Sequence, residues 1–184
     1  MMKPDDKIAL STIAVVNQAI TESDNLETMC THVTQLLVAA LEIKGCAIFI
    51  LNPESKELEI LSSFGLSISY LNKGPVLTHK SIAGSIKGKP VIVQDVDQSD
   101  ILQYPENAKT EGIGAIVSMP IKFRESVIGA LRLYHYKAWD LSEKDITFLQ
   151  FLSDHLGLAM TCARLSNALY TVKEALTGIH TLWI

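Results

Sequence analysis

Long apolar runs are missing from this chain: no stretch approaches the roughly 18 residues that a membrane-spanning helix requires, so no membrane partner is expected. An excess of positive charge is missing too, since 16 Lys and Arg face 20 Asp and Glu, scattered without a basic stripe, for a net charge of −4. That balance argues against a nucleic-acid partner. Cysteine is scarce. Cys30, Cys46 and Cys162 are odd in number, far apart and set among apolar residues, which excludes a disulfide framework and reads as reduced, buried thiols acting as small hydrophobes. The histidines at 32, 79, 135, 155 and 180 show no metal-ligand spacing with one another or with cysteine, so neither a metal nor a cofactor is expected. The opening Met-Met-Lys-Pro-Asp-Asp turns polar at once and lacks the apolar core of a secretory signal, and a cytoplasmic, soluble protein is expected. What the chain does have is 48% apolar composition over 184 residues, enough for one well-buried core.

The first third reads as helical. Over 5–21 two adjacent stripes recur at helical spacing, Ile8, Thr12, Val15 and Ala19 beside Ala9, Ile13, Val16 and Ile20. Ser23-Asp24-Asn25 breaks this helix, and Asp24 with Glu27 three residues on is expected to cap a second helix running to about Leu41. The apolar run Gly45-Cys-Ala-Ile-Phe-Ile-Leu ends at the turn cluster Asn52-Pro53-Glu54-Ser55, and 57–64 reads as a strand returning from that hairpin. A short strand follows at 90–93, then a second hairpin of 114–123 and 127–135 around Arg124-Glu125-Ser126. Ser81-Ile-Ala-Gly-Ser lacks the lysine of a phosphate loop and reads as the start of a short helix that Gly88 ends.

In the last strand, Ile128, Ala130, Arg132 and Tyr134 share one face, Val127, Gly129, Leu131 and Leu133 the other. A strand apolar on both faces belongs in a sheet covered on both sides. The expected class is α+β: a mostly antiparallel sheet of five to six strands, with the N- and C-terminal helices on one face and loops or short helices on the other.

Ser142-Glu143-Lys144-Asp145 forms a capping box opening a helix to about Leu176, well beyond usual globular length. Along it Phe148, Phe151, His155, Leu158, Cys162, Leu165, Leu169, Val172 and Leu176 follow steps of three and four, a heptad seam. Leu149, Leu152, Leu156, Ala159 and Ala163 make a second seam that stops earlier. Two seams call for two packing partners. The chain's own sheet takes one; the first helix and, past about residue 165, a second subunit take the other, with a single intramolecular helix layer as the alternative.

This ordered series resembles a GAF domain over about 25–165, with 1–24 as a bundle helix and 166–184 as a helical extension and tail. The resemblance rests on Gly45-Cys-Ala-Ile-Phe-Ile-Leu, Ser63-Phe-Gly-Leu-Ser, Ser81 to Val91, the acidic loop around 95–100, Ser118-Met-Pro-Ile and Val127-Ile-Gly-Ala-Leu-Arg-Leu-Tyr, followed by a long helix. It implies a ligand chamber roofed by 67–87 and 95–112 and dimerisation through the terminal helices, here Ile13, Val16, Ile20, Phe151, Leu158, Cys162, Leu165, Leu169 and Val172. Such a domain would bind a small organic molecule or ion and signal to a separate output protein.

The residues expected to face the ligand are Phe64, Tyr70, Lys73, Asp95, Gln103, Tyr104, Glu111, Met119, Arg132 and Tyr134. Tyrosines offer a ring for stacking and a hydroxyl for orientation. Arg132 lies mid-strand among apolar neighbours, and a guanidinium is rarely buried alone. It must meet an acid such as Asp95 or Glu111, or a carboxylate or phosphate ligand. The family's cyclic-nucleotide motif is altered, since Leu141 and Ile146 bracket Asp145, and the bilin-binding Cys-His pair is absent. Ala83 stands where free methionine sulfoxide reductases of this fold carry a cysteine. No catalytic residue is therefore assigned, and the expected role is sensory; the alternatives are a purely structural dimerisation module and a redox enzyme of the reductase type.

Overall fold

The structure, a computed structural model, describes residues 6–23, 25–77 and 87–181. Helix α1 (Leu10–Thr21) buries Ile13, Val16 and Ile20. It starts five residues later than its apolar stripe predicts. The reason is tertiary: the backbone amides of Lys7 and Ile8 are drawn onto the buried Asp145 carboxylate at 3.0 and 2.8 Å, which holds the chain out of the helix. Helix α2 (Leu26–Leu41) is capped not by Asp24, which lies outside the described residues, but by Asn25, whose side chain accepts from the amides of Glu27 and Thr28. Asn satisfies the orphan donors of a first turn as well as Asp does.

Strands β1 (Gly45–Leu51) and β2 (Glu57–Phe64) form the expected hairpin. A one-turn helix α3 (Ile68–Leu71), strand β3 (Val76–Leu77), strand β4 (Val91–Val93), a 3-10 turn (Val96–Gln98) and helix α4 (Pro105–Thr110) follow, before the hairpin of β5 (Ala115–Phe123) and β6 (Ser126–His135). The six strands are ordered β3-β2-β1-β6-β5-β4, and every pairing is antiparallel. The fold is α+β. The short helix expected from Ser81 lies outside the described residues.

The period-two alternation of β1, β5 and β6 sorts the core into two layers. Cys46, Ile48, Val117, Met119, Leu131 and Leu133 face the helices, whereas Ala47, Phe49, Ile116, Ala130 and Tyr134 face the opposite side. Helix α5 (Glu143–Thr181) runs 39 residues. Its capping box forms as expected: Ser142 Oγ accepts from the Asp145 amide at 3.1 Å, and the Asp145 carboxylate accepts from the Ser142 amide at 3.0 Å. Leu149, Leu152 and Leu156 seat α5 on the sheet, with Ala159 packed against the same core and Met160 fully buried beside it. At Gly157 an added Cβ would lie 2.0 Å from the Lys122 carbonyl oxygen, so only glycine admits this approach of α5 to β5.

The heptad seam of α5 is covered by the chain itself only at Phe148 and His155. Phe151, Leu158, Leu165, Leu169 and Val172 are all at least half exposed, and Cys162 is exposed as well. Ile13, Val16 and Ile20 depart from expectation: they are 3% exposed or less and form part of the chain's own core, so their side chains are not presented to a second subunit.

Candidate ligand chamber

On the sheet face away from the helices, Arg132 of β6 sits between Ala47 on β1 and Ser118 on β5. These small neighbours leave room for the guanidinium, which lies 4.9 Å from the Phe49 ring centroid and donates from Nε to Ser118 Oγ at 3.4 Å. Its charge also reaches the Tyr134 hydroxyl beneath it. Arg132 is only 5% exposed.

The roof is assembled from short-range devices. Ser67 caps α3, accepting from the Tyr70 amide at 3.1 Å, and so sets Tyr70 edge-on to Tyr134 with the rings 5.8 Å apart. Lys73, at the end of that turn, donates from Nζ to the Tyr70 carbonyl at 2.9 Å and lies 3.7 Å above the Tyr70 ring. The Tyr104 hydroxyl donates to the Pro75 carbonyl at 3.0 Å, as does Gln103 Nε2, which strap the 102–104 segment to the loop after α3. Gly74, at φ +127°, makes this strap fit, because a Cβ there would fall 2.6 Å from the Tyr104 oxygen.

Tyr70, Lys73, Gln103, Tyr104 and Arg132 thus line one cavity, together with the apolar Val76, Leu102, Ala108 and Ile116. Its volume is about 20 Å³, little more than one water needs. Burial, and then the charge of Arg132, push the Lys73 ammonium down to about 8 against the opposing pull of Glu111.

Five other expected residues fall elsewhere. Phe64 is 44% exposed on β2. Met119 points into the helical layer, one residue out of phase with the chamber face. Tyr134 lies under Arg132 rather than on the cavity wall, and burial pushes its hydroxyl up. Asp95 caps the 3-10 turn, accepting from the Asp97 amide and Gln98 Nε2. Glu111 accepts from the Ser67 amide and hydroxyl and pairs with Lys44 at 3.3 Å. Burial pushes Glu111 up, yet those hydrogen bonds outweigh it and hold the carboxyl below its usual range. Neither acid pairs with Arg132, and no other carboxylate among the described residues does so. Asp95 is taken up by the neighbouring Asp97 amide and Glu111 by Ser67 and Lys44, partners the fold brings closer than Arg132, which is why the expected pairing fails.

Phe49 and Ser118 were not among the expected site residues. Strand parity held the signal: both lie on the sheet face that carries Arg132, with Ser118 directly opposite it. Among the described residues no group of three His, Cys, Asp or Glu is placed to hold a metal, and no helix is long and apolar enough to cross a membrane. Cys30 and Cys46 are buried, burial pushing the Cys30 thiol up to about 12 and Cys46 up as well. Ala83 lies outside the described residues.

Residues 25–160 match the GAF domain family, the greater part of the chain. The chain belongs to the GAF domain family. The fold of this GAF domain is shared with solved structures. The GAF domain of a phosphoenolpyruvate-protein phosphotransferase from Coxiella burnetii superposes with a TM-score of 0.75 at 20% identity, covering 86% of this chain and 96% of that one. Its counterpart from Acinetobacter gives 0.72 at 17% identity, with the same coverage. Free methionine-R-sulfoxide reductase from Neisseria meningitidis, in complex with its substrate, gives 0.72 at 14% identity, covering 90% and 99%. No curated protein matches the sequence. GAF domains serve as sensory and regulatory modules in signalling proteins, and a domain of a two-component sensor histidine kinase from Sinorhizobium meliloti has the same fold (TM-score 0.64).

Proposed function

We propose that this GAF domain senses a small molecule in the chamber under the Tyr104–Pro75 strap and passes its occupancy through α5 to a second copy of the chain. The observation that carries the reading is the convergence of Arg132, Lys73, Tyr70, Tyr104 and Gln103 on one buried cavity in an otherwise apolar face. A few polar groups aimed into an apolar hollow are what orient a bound ligand. Any ligand larger than a few atoms must release the strap, so binding selects a roof arrangement of lower population.

Two hydrogen bonds of Gln94 support the transmission. Gln94, which leads from β4 into the roof, accepts from the Trp139 amide at 2.9 Å and donates from its side chain to Asp140 at 3.0 Å, two residues before the α5 cap. The exposed seam Leu158, Cys162, Leu165, Leu169, Val172 and Leu176 then offers a second copy the alternating positions of a parallel coiled coil. No thiol lines the cavity among the described residues, which favours sensing over redox catalysis.

The small cavity favours a second reading, a structural dimerisation module with a filled chamber. Native mass spectrometry separates the two. A dimer carrying a small-molecule adduct that denaturation releases supports the sensor; a bare dimer favours the structural module; a monomer at micromolar concentration removes the helical transmission.

A further inference from the structure

The charge pattern of the chamber goes beyond the sensory reading, on which it rests. We propose that the ligand is a small oxyanion, an inorganic oxyanion or the carboxylate of a short organic acid, held between the Arg132 guanidinium and the Lys73 ammonium. Both cations face the same cavity. Arg132 is 5% exposed and, among the described residues, it meets the Phe49 ring and Ser118, with the Tyr134 hydroxyl within reach of its charge, all uncharged. A buried charge without a partner is costly, and two like charges across one low-dielectric space add to that cost.

The chain cannot readily supply the missing anion itself. The undescribed stretch 78–86 contains no Asp or Glu; the other undescribed Asp residues, 5 and 24, are next in sequence to Asp6 and Asn25, which belong to the helical layer on the other face of the sheet. Glu111, whose charge reaches Lys73, is already committed to Ser67 and Lys44. An oxyanion would turn the repulsion into two charge-assisted contacts, with Arg132 offering a planar fork and Lys73 a point charge. The apolar walls Val76 and Ile116 exclude water and strengthen both. The cavity of about 20 Å³ limits the group to a few atoms and excludes a nucleotide while the strap is closed.

The test is a heteronuclear NMR titration of the full chain at pH 7 and fixed ionic strength with sodium formate, sodium phosphate and formamide, the last a neutral match for formate. Formate or phosphate is expected to give saturable shifts at the Arg132 Nε–H and the 102–104 amides, formate in the millimolar range that so few atoms allow. Formamide is expected to give none. Lys73→Met, a partly exposed roof position that leaves the core intact, is expected to weaken the anion about tenfold or more, the size of one charge-assisted contact. Formamide binding as tightly as formate, an unchanged anion affinity in Lys73→Met, or no saturable shift with either anion overturns the assignment. The sensory reading survives such a result if native mass spectrometry still finds a neutral adduct, and falls with it if the protein is bare.

Discussion

Asp145 and Ile8, 137 residues apart in sequence, are joined inside the protein by a hydrogen bond of 2.8 Å from the Ile8 amide to the aspartate Oδ1. The same carboxylate accepts from the Lys7 and Ser142 amides. One buried side chain therefore starts α5, fixes the start of α1 and closes the helical layer. Replacing Asp145 by Ala strands three amides at once, and a loss of about 3 kcal/mol or more is expected in urea unfolding, with Asn costing less because it retains an acceptor. Hydrogen exchange at Lys7 and Ile8 should rise in Asp145→Ala before global unfolding does.

Lys73 gives the chamber a pH dependence of defined sign. Arg132 from β6, Glu111 after α4, and the Tyr70 and Tyr104 hydroxyls surround it, and its ammonium titrates at about 8 instead of its ordinary 10.5. Between those values the unfolded chain binds the proton that the folded chain has lost, so stability attributable to Lys73 rises from pH 8 to 10.5 and the cost of the buried charge is fully present below pH 8. Denaturation of the wild type against Lys73→Met across this range should show the gain in the wild type alone. Anion affinity runs the opposite way, falling up to tenfold per pH unit above about 8.

Gly157→Ala forces a Cβ against the Lys122 backbone oxygen. The helix must lift from β5, disturbing the hydrogen bond of 2.8 Å from Ser153 Oγ to the Pro120 carbonyl. A destabilisation of about 1–3 kcal/mol is expected, the usual range for overpacking, measured as a lowered denaturation midpoint at unchanged slope.

The α5 seam predicts that Leu165→Glu combined with Leu169→Glu converts a dimer to a monomer in sedimentation velocity without changing the helical layer. In a parallel, in-register pair the two Cys162 thiols face each other across the axis. Mild oxidation should then yield a disulfide-linked dimer that Cys162→Ser abolishes, while the buried Cys30 and Cys46 stay unreacted.

The hairpins, the capping box at Ser142 and the long amphipathic helix were legible because each is written in local spacing: period two, an S-x-x-D cap, steps of three and four. Half of the expected chamber residues came together, chiefly those on turns with Tyr, Gln and Lys in an irregular stretch. Met119 was misplaced by a single step of strand parity, although the same parity placed Arg132 correctly.

The sequence alone determined the element types, the two-sided burial of the sheet and the membership of a buried arginine in its face, since these follow from propensity and periodicity along the chain. Tertiary structure decided the partners. Which amides captured Asp95, Glu111 and Asp145, whether Ile13, Val16 and Ile20 turned inward, and that Arg132 and Lys73 meet across a cavity without an acid between them all depend on contacts between segments remote in sequence. Local spacing carries no information about such distances, because competing acceptors of similar strength are chosen by which one the folded backbone brings within reach.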